Sequence, residues 1–226
     1  MAVLLSLETS TTACSAALHE NGKLLALSEL HIAQTASSKL ATMIDDLFQL
    51  CSLKPGQIDG VAVSAGPGSF TGLRIGVATA KGLCYALNLP FLSVNTLELL
   101  AYQVATERGP DSLLCPMLDA RRMEVYYLLA DRDLTILEST NAKIIDPLSF
   151  MNWLDQYVIS FFGNGSAKCK GVIHHPNALY IENIYPGASA LGELAFRKFE
   201  KKQFEDLSSY EPFYLKDFIV KKPKSV

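Results

Sequence analysis

The chain has 226 residues, 49% of them apolar, and a formal net charge of −3. That length suits one large domain or two small ones, the acidic balance argues against a dedicated nucleic-acid binder, and no uncharged apolar run of about 18 residues offers a membrane span. Cys14, Cys51, Cys84, Cys115 and Cys169 are an odd, scattered set without a C-x-x-C pair, which fits reduced thiols in the cytosol rather than a disulfide framework.

The opening "MAVLLSLETS" lacks a basic n-region, so it reads as a first strand rather than a signal peptide. Its apolar run, residues 3–7, closes on Glu8. A hydroxyl-rich turn over 9–15 leads to a second strand. Asn21-Gly22, a strong hairpin signal, leads to a third over 23–30, which makes a three-stranded meander. Residues 35–51 place Leu40, Met43, Ile44, Leu47 and Leu50 at helical spacing. A Lys54-Pro55-Gly56 break precedes a short buried strand over 59–64.

The next stretch, "SAGPGSFTGLRIGVATAKGL" (64–83), holds five glycines. Glycine inside a helix costs roughly 1 kcal/mol against alanine, so something offsets it. A phosphate-binding reading fails: no G-x-x-x-x-G-K-[ST] run exists, and in a G-x-G-x-x-G match from Gly66 the third glycine falls on Thr71. Pro67 also lacks a backbone donor. The packing reading has Ser69 capping a helix over 70–86. Gly72, Gly76 and Ala80 then share one nearly bare face, open to close approach by a helix of this chain or of another. We expect a partner interface formed by Ser69, Phe70, Gly72, Leu73, Arg74, Gly76, Val77, Ala80 and Lys81, with packing inside the domain as the alternative.

A strand over 90–94 follows, then a helix through about 105, capped by Asn95 with Glu98. The second half echoes the first. An apolar run over 113–118 closes on Asp119, and the turn "ARRM" leads to strands over 124–130 and 134–145. A helix over 150–157, a strand over 158–162 ending in "GNGS", and a helix over 189–202 complete it. The repeated order suggests an internally duplicated α/β protein, with lobes 1–105 and 106–226 and a frayed basic tail.

Four stretches resemble the bacterial TsaB (YeaZ) family: "LLSLETSTTACSAAL" (4–18), the glycine segment, "LDARRMEVYYLLA" (118–130) and "EPFYLKDFIVKK" (211–222). The resemblance implies a duplicated actin-like ATPase fold (ASKHA, ribonuclease H-like), two lobes each with a mixed sheet flanked by helices. It further implies a non-catalytic cytoplasmic scaffold for threonylcarbamoylation of the adenosine beside the tRNA anticodon. Such a scaffold binds the transferase TsaD as a heterodimer, is joined by the ATPase TsaE, pairs with itself when alone, and meets tRNA only through the complex. It has no cofactor of its own beyond weak ATP or ADP binding within that complex.

Active members of the fold grip a nucleotide with an acid in each lobe, a hydroxyl turn and a glycine-rich adenosine loop. Glu8, Thr9, Ser10, Thr11, Thr12, Asp119, Gly163 and Gly165 stand where such a site would be, as a vestige. Glu8 is longer than the usual aspartate, and Arg121 and Arg122 replace glycine and threonine. The catalytic paralogue's H-x-x-x-H metal pair has no counterpart: His19, His31, His174 and His175 lack that spacing, and Gln34 stands near His31. We therefore expect no metal. The competing readings are an ATPase or kinase using Glu8, Asp119 and the 9–12 turn, and a glycoprotease-like hydrolase. Asp45-Asp46 reads as a solvated helix face, and Lys221, Lys222 and Lys224 as a solvated tail.

Overall fold

In the computed structural model, which describes residues 1–32, 35–105 and 112–216, the apolar runs become two five-stranded mixed sheets. The first contains β1 (Val3–Glu8), β2 (Cys14–Glu20), β3 (Lys23–Leu30), β4 (Gly60–Gly66) and β5 (Phe91–Asn95), in the order β3-β2-β1-β4-β5. β1 pairs antiparallel with β2 and parallel with β4. Helices cover both faces, so β1 is buried along its whole length, which explains its unbroken apolar run.

The second sheet contains β6 (Ser112–Asp119), β7 (Glu124–Ala130), β8 (Ile136–Ile144), β9 (Val158–Phe162) and β10 (Ala178–Ile181), in the order β10-β9-β6-β7-β8. β6 pairs antiparallel with β7 and parallel with β9. Laid on one another, β6 falls on β1, and every neighbour matches. Glu8 and Asp119 end the two equivalent central strands.

Two expected elements are shorter than the sequence suggests. Leu134 is left-handed (φ 64) and closes a turn onto Asp131, so β8 starts only at Ile136. The helix expected over 150–157 is a single turn, α4 (Met151–Leu154), because Phe150 is left-handed and the chain bends at 155–157 to enter β9. His174 and His175 lie in a loop, not on a strand.

Helices α1 (Thr35–Leu50) and α2 (Phe70–Leu87) pack on one face of the first sheet through Leu40, Met43, Leu47, Val77 and Ala80. Helix α3 (Thr96–Ala105) sits between the sheets: Leu97, Leu100 and Val104 meet Leu114, Leu128 and Phe162, while Leu99 joins the first sheet's core. A short α5 (Ser166–Cys169) follows β9.

The last helix, α6 (Ala188–Glu200), leaves the second half and covers the first sheet. Leu191 and Ala195 pack against Leu4, Ala62, Leu92 and Val94. Gly192 lies against the buried His19, where a side chain at 192 would collide with the imidazole. Residues beyond α6 stay with the first lobe: Glu205 bridges Phe91, and Phe213 N donates to Ala65 O at 2.7 Å. By packing, residues 188–213 complete the first lobe, although the division at 105/106 assigns them to the second.

Candidate functional site

Glu8 is fully buried at the end of β1. Its Oε1 accepts hydrogen bonds from Ser10 N at 2.6 Å and Ser10 Oγ at 2.5 Å. Burial pushes its carboxyl up to about 7, partly opposed by the hydrogen bonds from Ser10. Thr9 and Ser10 are buried, Thr11 is half-buried and Thr12 is exposed.

A roof of backbone closes over this turn. Thr9 Oγ1 donates to Gly72 O at 2.7 Å, and Ser69 N donates to Ser10 O at 2.6 Å. Ser69 caps α2 as its sequence suggests, its Oγ accepting from Gly72 N at 3.2 Å. A methyl group at Gly72 or Gly76 would fall on Thr9, and one at Gly68 would fall on Ser10. The bare face of α2 is therefore filled from within the lobe. The phosphate-like turn and the glycine segment occupy each other.

This corrects the geometry expected for the partner interface. Gly72, Leu73, Gly76, Val77 and Ala80 are buried inside the first lobe. Phe70, Arg74 and Lys81 meet residues 210–214 of the same chain. The Phe70 ring lies 5.1 Å from that of Tyr214, Arg74 Nε donates to Tyr214 OH at 3.3 Å, and Lys81 Nζ donates to Tyr210 O at 3.0 Å. The open side of α2 carries Ser69, Thr71, Arg74, Ala78, Gly82 and Tyr85; nothing lies within 4 Å of a Cβ built at Gly82, and Tyr85 is 84% exposed.

The second acid is closed differently. Asp119 is exposed and forms an ion pair with Lys168, whose Nζ also donates to the carbonyls of Arg122, at 2.9 Å, and Glu124, at 2.5 Å. Asp119 Oδ1 further accepts from Arg121 N at 2.9 Å. The glycines of "GNGS" pack on β6: a Cβ at Gly165 would lie 2.7 Å from the Leu118 carbonyl carbon, and Gly163 (φ 91) abuts Met117. Lys168 gave no signal in the sequence, since it stands 49 positions from its partner. Lys216, paired with Glu124, gave none either.

A cavity of about 340 Å³ lies elsewhere, between Glu29, Tyr102, Gln103, Tyr185, Ser189 and Glu193. His31 pairs with Glu29 at 2.7 Å and His175 with Asp155 at 3.7 Å. Among the described residues no three His, Cys, Asp or Glu side chains converge on a metal position, and no helix is long and apolar enough to cross a membrane. Gln34, Lys221, Lys222 and Lys224 lie outside the described residues.

A family model described as "TsaD: tRNA N6-adenosine threonylcarbamoyltransferase" matches residues 31–223. The chain is 30% identical to the tRNA threonylcarbamoyladenosine biosynthesis protein TsaB of Haemophilus influenzae, over 95% of this chain and 93% of the relative. It is also 30% identical to the Bacillus subtilis protein of the same name, over 94% and 93%. A crystal structure from Pseudomonas aeruginosa, described as an uncharacterized protein similar to peptidase YeaZ, superposes with a TM-score of 0.84 at 26% identity, covering 96% of this chain and all of that one. The paired sheets are thus the duplicated actin-like ATPase fold.

Proposed function

The chain belongs to the TsaB family of tRNA threonylcarbamoyladenosine biosynthesis proteins, within the wider family that the transferase model covers, and we propose that it serves this tRNA modification as a scaffold without chemistry of its own. The observation that carries the reading is the roof over Thr9: the segment from Gly68 to Gly76 packs directly on Thr9 and Ser10, the two residues that follow Glu8. The Lys168–Asp119 pair supports it, because a carboxylate already engaged by an ammonium is a poor metal ligand.

In this reading the chain binds a TsaD-type transferase subunit, with a TsaE-type ATPase joining in the cytoplasm. The contact runs through the open side of α2, where Ala78 and Gly82 leave room beside Tyr85. Small residues beside an exposed aromatic suit a close helix–helix contact. The same side pairs two copies of the chain when the transferase is absent. ATP or ADP binds weakly, and only in the assembly.

Co-purification with TsaD, with the mass of the complex measured, tests the partner. Gly82→Leu should abolish the complex while leaving the melting temperature near that of the parent, since the site is open. Retention of the complex by that variant removes α2 from the interface. Steady ATP hydrolysis by the isolated chain, lost in both Glu8→Ala and Asp119→Ala, would replace the scaffold with an ATPase of the same fold.

A further inference from the structure

The turn joining β6 to β7 uses residues that its shape does not favour. Arg121 and Arg122 are consecutive left-handed residues, at φ 67 and φ 51, and both are exposed. The β2–β3 hairpin meets the same demand with Asn21-Gly22, at φ 50 and φ 76, the pair that adopts such a turn most readily. Arginine has no such preference, so turn geometry does not account for its presence twice in succession.

The charges around the turn are unbalanced. Asp119 is paired with Lys168, and Glu124 with Lys216. Among the described residues neither the Arg121 nor the Arg122 guanidinium is in an ion pair. Four cations therefore stand against two carboxylates, on a chain whose net charge is −3. Lys168 Nζ donates to the carbonyls of Arg122 and Glu124, and Lys216 pairs with the Glu124 carboxylate, so both lysines stand at the same turn as the two arginines. The sequence runs on from Lys216 through Lys221, Lys222 and Lys224. Guanidinium groups present a planar fork of donors that matches phosphate oxygens, and paired arginines grip them without reading base identity.

We propose that the β6–β7 turn docks the phosphate backbone of RNA, with Arg121 and Arg122 as its phosphate ligands. This rests on the reading that the assembly modifies a tRNA. It replaces a purely indirect relation to that RNA with a direct contact.

The test is fluorescence anisotropy of a labelled, unmodified tRNA transcript titrated with the full chain between 50 and 200 mM KCl. Wild-type binding should weaken steeply with salt. Arg121→Gly/Arg122→Gly removes both charges and suits the left-handed turn, so it should melt at or above the wild-type temperature. It should bind the transcript about tenfold more weakly, with a log–log salt slope shallower by roughly two. Equal affinity in the variant, or no binding by the wild type at 50 mM KCl, overturns the proposal. So does displacement of the transcript by equimolar ATP, which would assign the arginines to a nucleotide.

Co-purification with TsaD separates this result from the scaffold reading. A variant that keeps TsaD and loses RNA supports both. Unchanged RNA affinity with TsaD retained defeats only the docking turn. A wild-type chain that binds RNA through these arginines but never captures TsaD defeats only the scaffold.

Discussion

The two turns that follow the central strands began from the same architecture and now differ in nearly every physical respect. After β1 the turn is short-chained and hydroxyl-bearing, and its first two residues, Thr9 and Ser10, are buried with α2 lying across them. After β6 it is long-chained, cationic and exposed, and the Lys168 ammonium reaches under it. One acid is shut away from water, and the other meets a counter-charge. Removing water from a carboxylate is costly and shows in its titration. A surface ion pair is cheap and leaves the turn free to contact something else. The first turn is thus enclosed by its own lobe, and the second stays exposed at the surface.

The strongest way to break this comparison is to lift the roof. Gly72→Ala forces a methyl group onto Thr9 and should cost about 3 kcal/mol, the upper end of ordinary overpacking, measured by urea denaturation. A loss below about 1 kcal/mol would mean that α2 rides loosely over the turn, and the contrast between the lobes would fail.

The pH dependence of stability sharpens the contrast next. The Glu8 acid sits at about 7 in the folded chain against 4.5 ordinarily, so the folded state holds this proton more tightly than the unfolded one. Its contribution is fully present below about pH 4.5. It is lost as pH rises through 7, about 3 kcal/mol in all. Glu8→Gln should flatten that fall and be the more stable protein at pH 8. Parallel stability curves for the two proteins between pH 5 and 8 would show that Glu8 is ionised and paired in the fold.

The smallest effect belongs to the second lobe. Lys168→Met removes a surface ion pair and two carbonyl contacts and should cost about 1 kcal/mol or less. A loss as large as that of Gly72→Ala would make the second turn as tightly built as the first.

What was legible in the sequence was local. Asn21-Gly22 gave the hairpin, Ser69 gave the start of α2, and Asn95 gave the start of α3, its Oδ1 accepting from Leu97 N at 2.8 Å. Spacing also showed that Gly72, Gly76 and Ala80 share a face. It could not show what fills that face, because Thr9 stands 63 positions from Gly72 and no periodicity links them. The closure of Asp119 by Lys168 and the return of α6 to the first sheet were hidden for the same reason. The short α4 escaped because Phe150 adopts a left-handed conformation that nothing in its side chain announces.

The return of α6 also sets an order in time. On the ribosome, β1 to β5 emerge first, yet Leu4, Ala62 and Leu92 keep one face of their sheet uncovered until Leu191 and Ala195 arrive. At typical synthesis rates of about 5–20 residues per second, the wait is on the order of 5–20 seconds. The second sheet can close on itself during that interval, since its strands are contiguous in the chain. The half that is translated first is therefore the half that is finished last, and a nascent chain halted before residue 188 would present an open apolar sheet face to whatever chaperone stands at the exit.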